Sequence, residues 1–122
     1  MKAMEKFKDL SLNYKIWLSS QNGADVLGGG KWLLLKAIDE EGSLMAAAEK
    51  LGISYRKAWG GIKKAEENLG FLLVEKYRGG KAGGKSELTA DGKRLIAAYE
   101  KFINDFRKSA DKVFVRFIKQ LN

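Results

Sequence analysis

Between positions 10 and 18 the chain alternates. Leu10, Leu12, Tyr14, Ile16 and Leu18 fall on one side, and Ser11, Asn13, Lys15 and Trp17 on the other. A period of two predicts a half-buried strand. The turn-like "SSQNGAD" and the glycine-ended "VLGGG" extend it into an N-terminal β-hairpin. After that the period changes. "KWLLLKAIDEEG" predicts a helix with Leu34, Leu35 and Ile38 on one face and Gly42 in the left-handed conformation just past its end. Ser43 suits the N-cap of a short Ala-rich helix, "LMAAAEKL", which stops at Gly52. Ile53 is expected to be a buried linker, and Ser54 to cap "YRKAWGGIKKAEENLG", where Ala58, Ile62, Ala65 and Leu69 form an inward stripe. "FLLVEKY" predicts a strand and "SEL" its return, with a glycine-lysine loop between them. Thr89 caps a last helix that starts near Ala90 and runs almost to the end of the sequence, about 45 Å at 1.5 Å per residue.

The stretch "AAAEKLGIS" is the informative one. Ala48 is small where two helix backbones would meet, Gly52 permits the positive φ of a tight turn, and Leu51 and Ile53 can plug the angle. This is the pattern of a helix-turn-helix, whose second helix enters the DNA major groove. A plain helical hairpin in a small bundle would satisfy the turn equally. The following helix separates the two. With its apolar stripe inward, Arg56, Gly60 and Lys63 point outward, flanked by Tyr55, Lys57, Trp59 and Lys64. From Ser54 to Lys64 there is no acidic residue. The basic end is the N-terminal end, where the helix dipole also favours a phosphate. Gly60 and Gly61 each lower helix propensity by ~1 kcal/mol, which makes sense where another backbone passes close. Trp59 would either brace this helix or touch the sugar backbone, while Trp17 and Trp32 read as packing or interface residues.

Composition sharpens this picture. The 122 residues carry a formal charge of +8, which attracts polyanions, nucleic acid above all. There is no cysteine, histidine or proline. Disulfides, thiol chemistry, the common zinc sites and His-based catalysis are therefore excluded, and no paired-carboxylate constellation stands out. No cofactor, no metal site and no catalytic residue is expected, so the chain reads as a non-enzyme. No stretch approaches the ~18 apolar residues of a membrane helix, and the N-terminus is not a secretory signal. A cytoplasmic protein follows.

One motif points elsewhere. From Gly79 to Ser86 the chain spells G-x-x-x-x-G-K-S, the letters of a phosphate-cradling P-loop. A true P-loop runs from a strand directly into a helix with Lys-Ser in the first turn, whereas here Thr89 is the better cap. Two strands joined by a glycine-rich loop after a helix-turn-helix make a wing instead. Arg78, Lys81 and Lys85 would contact phosphates, with Arg78 alternatively entering a minor groove, and Gly79, Gly80, Gly83 and Gly84 would let the loop lie against the sugar-phosphate backbone. A P-loop nucleotide-binding enzyme stays an alternative, as does a winged-helix module that binds DNA without reading sequence or binds protein.

The run "GSLMAAAEKLGISYRKAWGGIKKAEENLGFLLVEKYRGGKAGGKSELTADGKRLIAAY", residues 42 to 99, resembles the N-terminal DNA-binding domain of the molybdate-responsive transcriptional regulators (ModE type), related in turn to LysR-type winged helices. The specific pieces are "GISY..AW", "LVE...GGK.GG" and "LT..G..LI..Y". The resemblance implies a homodimer that binds a two-fold-related site on double-stranded DNA and regulates transcription. Members of that family carry a second region, built from small β-barrels, that binds molybdate. The expectation here is a stand-alone form without the molybdate-binding domain, or an excised fragment of a longer regulator.

The expected fold is mainly α with small β: a winged helix-turn-helix with an N-terminal β-hairpin and a long C-terminal dimerisation helix. Residues 1–98 are assigned to the DNA-binding domain, and residues 99–122, the remainder of the last helix, to dimerisation. The candidate groove-facing set is Ser54, Tyr55, Arg56, Lys57, Trp59, Gly60, Lys63 and Lys64, with Arg56 suited to bidentate readout of guanine. The apolar stripe beyond Tyr99 is too long for a small domain to cover. Phe102, Phe106, Val113, Phe114, Phe117 and Leu121 are its candidate dimer contacts.

Overall fold

In the computed structural model, which describes residues 6–77 and 84–121, hydroxyl side chains start the three helices after Gly42, and left-handed glycines end the three before Phe71. Helix α1 (Gly29–Glu41) ends at Gly42, φ 75°, whose N–H donates to Ile38 O at 2.8 Å. Ser43 then accepts from Ala46 N at 2.9 Å and opens α2 (Leu44–Leu51). Gly52, φ 71°, closes it. Gly52 N–H donates to Glu49 O and Ile53 N–H to Ala48 O, the paired bonds of a Schellman end. Ser54 accepts from Lys57 N at 3.1 Å and opens α3 (Tyr55–Leu69). These caps satisfy backbone groups that every helix end leaves unpaired.

The strands form two separate antiparallel ribbons. β1 (Trp17–Ser19) pairs with β2 (Asp25–Gly28), and β3 (Val74–Tyr77) pairs with β4 (Lys85–Leu88) in the register Val74↔Leu88, Lys76↔Ser86. The N-terminal strand is much shorter than the alternation from 10 to 18 predicts. Trp17 faces Gly28, and at Gly29 the partner chain turns into α1, so residues before Trp17 have no ladder to join. Leu10, Leu12, Tyr14 and Leu18 are exposed, not half-buried. The strand predicted from Phe71 likewise begins only at Val74, and Phe71 and Leu72 are exposed. Ile53 and Leu69 are half-buried.

The chain divides into two units. The first spans Ile16–Ala98 and holds the core: Leu27 of β2, Leu35 and Ile38 of α1, Leu44 and Ala48 of α2, and Ala58, Ile62 and Ala65 of α3. Alanines at the α2–α3 contact bring those two helices close. Ser86 N–H donates to Gly42 O at 3.0 Å and ties the β3–β4 ribbon to the α1–α2 turn. Helix α4 (Ala90–Gln120) opens on Thr89, whose Oγ accepts from Gly92 N at 2.9 Å and donates to Leu72 O at 2.8 Å. Trp32 Nε1 donates to Ile96 O at 3.3 Å, holding α1 against the start of α4.

The second unit spans Met1–Lys15 with Tyr99–Asn122. Here Tyr14 packs on Phe106, ring centroids 5.7 Å apart, and Phe102 and Phe106 follow at 6.3 Å. An open apolar groove of about 660 Å³ runs along α4 between Leu12, Phe106, Ala110, Val113, Phe114 and Phe117.

Gly92 sits where α4 meets β3. A Cβ there would lie 2.4 Å from the Leu73 carbonyl oxygen, a backbone atom that cannot swing away. Gly92→Ala is therefore expected to lower stability by ~1–3 kcal/mol, as overpacking does. Urea denaturation checks this, and an unchanged midpoint would mean that the α4–β3 contact relaxes freely.

Candidate nucleic-acid interface

The α2–turn–α3 unit presents the N-terminal half of α3 outward. Tyr55, Arg56, Lys57, Gly60, Lys63 and Lys64 are exposed, while Ala58, Ile62 and Ala65 on the opposite face are buried. Ser54 is exposed as well, and its Oγ accepts from Lys57 N at the start of the helix. The described part of the α3 N-terminal face therefore carries four cations and no carboxylate, as its sequence implies.

Two lysines from different elements meet at Trp59. Lys63 Nζ lies 5.2 Å from the ring centroid, and Lys76 Nζ, from β3, lies 4.4 Å from it. Lys76 Nζ also sits 4.8 Å over the Tyr55 ring and hydrogen-bonds the Tyr55 hydroxyl. Half-buried Trp59 thus braces α3 against β3, and the cation–π contacts hold the lysine stems over it. A shallow cleft of about 570 Å³ lies between Trp59, Lys63, Leu72 and Lys76.

Glu66 lies at the floor of this cleft and is only 5% exposed. One carboxylate oxygen accepts from Leu73 N at 2.7 Å and Val74 N at 3.1 Å, tying the C-terminal part of α3 to the start of β3. On the opposite side, Lys31 of α1 donates to Asp25 O at 3.3 Å and reaches within 3.8 Å of a Cβ placed on Gly61. Burial pulls the Lys31 ammonium below the ordinary lysine value; Asp25 opposes that shift and Lys64 adds to it.

The two central glycines of α3 thereby separate. Gly61 faces Lys31 at ordinary contact distance. Gly60 has nothing within 4 Å and no positive φ, so nothing among the described residues calls for glycine there.

Of the proposed wing residues, Arg78, Gly79, Gly80, Lys81 and Gly83 lie outside the described residues. Gly84 and Lys85 are exposed, and Lys85 Nζ pairs with Glu87 at 2.9 Å. Both partners of that pair are solvated, so it holds Lys85 only weakly. Lys85 and Ser86 belong to strand β4, and the next helix begins at Ala90. Lys85 and Ser86 therefore do not open a helix, as the Lys-Ser of a P-loop does. Among the described residues no group of His, Cys, Asp and Glu could hold a metal ion. No helix there is long and apolar enough to cross a membrane.

The sequence reading passed over Lys76, Glu66 and Lys31 as site residues. For Lys76 a signal was present: period-two alternation puts it on the same side of β3 as buried Val74. Glu66 carried a weaker one, since it follows Ala65 directly at the edge of the inward stripe.

A family model for bacterial regulatory helix-turn-helix proteins of the lysR family matches residues 31–93. The chain belongs to that family. The match runs from α1 through the first turn of α4, and so takes in α2, α3, β3 and β4 whole. Among curated relatives, molybdenum-pterin-binding protein MopB of Rhodobacter capsulatus is 40% identical over 90 residues, covering 68% of this chain and 33% of its own length. The DNA-binding transcriptional dual regulator ModE of Escherichia coli K12 is 40% identical over 78 residues, covering 64% of this chain and 30% of its own. The chain thus spans about a third of the length of these relatives. Its fold is also that of the CbnR_DBD-DNA complex, with a TM-score of 0.56 at 23% identity over 74% of this chain and 98% of the other. Full-length CbnR, a LysR family transcriptional regulator, gives 0.53 at 25% identity, over 71% of this chain and 28% of the other.

Gly60→Ala gains up to ~1 kcal/mol of helix propensity and meets no neighbour. Its melting temperature is expected to rise in a circular-dichroism scan. A fall would reveal a contact at this position.

Proposed function

We propose that this lysR-family chain is a sequence-specific regulator of transcription that binds double-stranded DNA in the cytoplasm as a homodimer. The observation that carries the reading is the solvent-facing, acid-free N-terminal half of α3 within a helix-turn-helix. Its backbone N–H groups and dipole favour a phosphate, and its side chains suit a major groove. In this assignment residues 1–98 form the DNA-binding domain. Arg56 reads guanine; Tyr55, Lys57 and Lys63 lie at the groove; Lys64 and the wing residues Arg78, Lys81 and Lys85 serve the backbone. Gly60, with open space before it, lets that backbone come close, as do the wing glycines. The chemistry is binding, not catalysis.

Residues 99–122 then serve dimerisation. Phe102, Phe106, Val113 and Phe117 are all exposed on α4, and Phe114 and Leu121 are half-buried beside them. An apolar stripe of this length left in water favours a second copy. Two such domains place their α3 helices to read half-sites about one DNA turn apart, roughly 34 Å. The molybdenum link rests on relatives: MopB, and the protein named molybdenum transport protein ModE of Azotobacter vinelandii, 34% identical over 83 residues. These names support a link between this regulator and molybdenum metabolism.

Selection from a random duplex pool at near-physiological salt tests the reading. Enrichment of an inverted repeat is expected. Retention of all sequences alike would leave only a non-specific binding module. Gly60→Ala, although stabilising, should bind the selected duplex on the order of tenfold more weakly, equivalent to ~1.4 kcal/mol. Phe114→Glu combined with Phe117→Glu should sediment as a monomer and bind DNA far more weakly. A double variant that stays dimeric would remove α4 from the interface.

A further inference from the structure

The ammonium of Lys76 lies against the two aromatic residues of the α3 N-terminal face. It lies 4.8 Å from the Tyr55 ring centroid and 4.4 Å from that of Trp59, and it hydrogen-bonds the Tyr55 hydroxyl. A lysine ammonium has three donors and no acceptor. The Tyr55 oxygen must therefore accept from Lys76, and its own hydroxyl hydrogen is left to donate elsewhere. Tyr55 is the first residue of α3, in the part of such a helix that reaches base edges, and it is exposed.

We propose that Lys76 is a positioning residue that fixes Tyr55 as an outward hydrogen-bond donor, and that Tyr55 thereby determines specificity for a base presenting an acceptor in the major groove. The acceptors there are purine N7, guanine O6 and thymine O4, whereas the amino groups of adenine N6 and cytosine N4 are donors and are rejected. The inference rests on the DNA-binding reading above. It adds a division of labour: β3 sets what α3 reads, although Lys76 itself touches no base.

The test compares wild type, Tyr55→Phe, Lys76→Met, Lys76→Arg and the Tyr55→Phe/Lys76→Met double variant in duplex-pool selection and in salt titrations. Tyr55→Phe and Lys76→Met should lose preference at the same base pair, on the order of tenfold, with the rest of the motif intact. The double variant should be no worse than either single one. Lys76→Arg, which still donates and stacks, should restore much of the preference. A uniform loss for Lys76→Met, with the salt slope reduced by about one unit and the motif unchanged, would make Lys76 a phosphate contact and overturn the proposal. An unchanged motif in Tyr55→Phe would overturn it too. NMR of the DNA-free protein separates this from the reading beneath it. Tyr55 and Trp59 ring resonances should shift in Lys76→Met, and unshifted rings would refute the clamp whatever the DNA shows. A wild type that selects no motif sinks the regulator reading and the base-reading role together, while shifted rings would still establish the clamp.

Discussion

A single buried carboxylate decides where β3 lies relative to α3. Glu66 takes the N–H groups of Leu73 and Val74 just after the chain leaves Gly70. Without it two backbone donors would be buried unpaired, at a cost of ~1–3 kcal/mol each. The far side of the same residue is held as well. The Leu73 carbonyl accepts from Thr89 N at 2.9 Å and lies against Gly92, where no side chain fits. Leu73 is thus pinned between α3 and the start of α4. The β3–β4 ribbon, its contact with the α1–α2 turn, and the approach of Lys76 to Tyr55 and Trp59 all follow from that placement.

Cations are brought together at this surface in spite of their repulsion. Lys63 and Lys76 lie over the Trp59 ring, and Lys31 is partly desolvated beside Gly61 and Lys64. The aromatic faces, the Tyr55 hydroxyl and the Asp25 carbonyl offset part of that cost. Some cations elsewhere are paired with carboxylates. Lys50 bridges Glu40 and Glu41 at 3.2 and 3.4 Å, and those bonds hold its ammonium above the ordinary lysine value. Lys101 pairs with Asp105 one turn along α4 and holds that carboxyl below the ordinary aspartate value. The α3 N-terminal face, by contrast, carries no acid from Ser54 to Lys64.

The second unit follows a different rule. Its aromatic residues touch along one face of α4, with Tyr14 laid against Phe106, yet most of them stay exposed. One helix and a short extended segment cannot bury a stripe of that length by themselves, because each apolar residue needs neighbours on several sides.

Local chemistry was legible in the sequence. Ser43, Ser54 and Thr89 as caps, Gly42 and Gly52 as ends, and the stripe Ala58–Ile62–Ala65 depend on contacts within a few residues, so composition and period reveal them. The basic face of α3 was legible for the same reason, since helix geometry alone puts Arg56, Gly60 and Lys63 opposite that stripe. What depends on distant partners was not legible. The alternation from 10 to 18 cannot tell that its ladder ends at Gly28, because that end is set by where α1 begins. Glu66 reads as one more surface acid until β3 brings two backbone N–H groups to it. Lys76 carries no mark of a role at Tyr55 until the same strand brings it there. The chain by itself determined its helices, their caps and the sign of the α3 surface. Only the tertiary structure decided which strand end meets which helix, because a buried hydrogen bond or a cation over a ring exists only once two remote segments share one place.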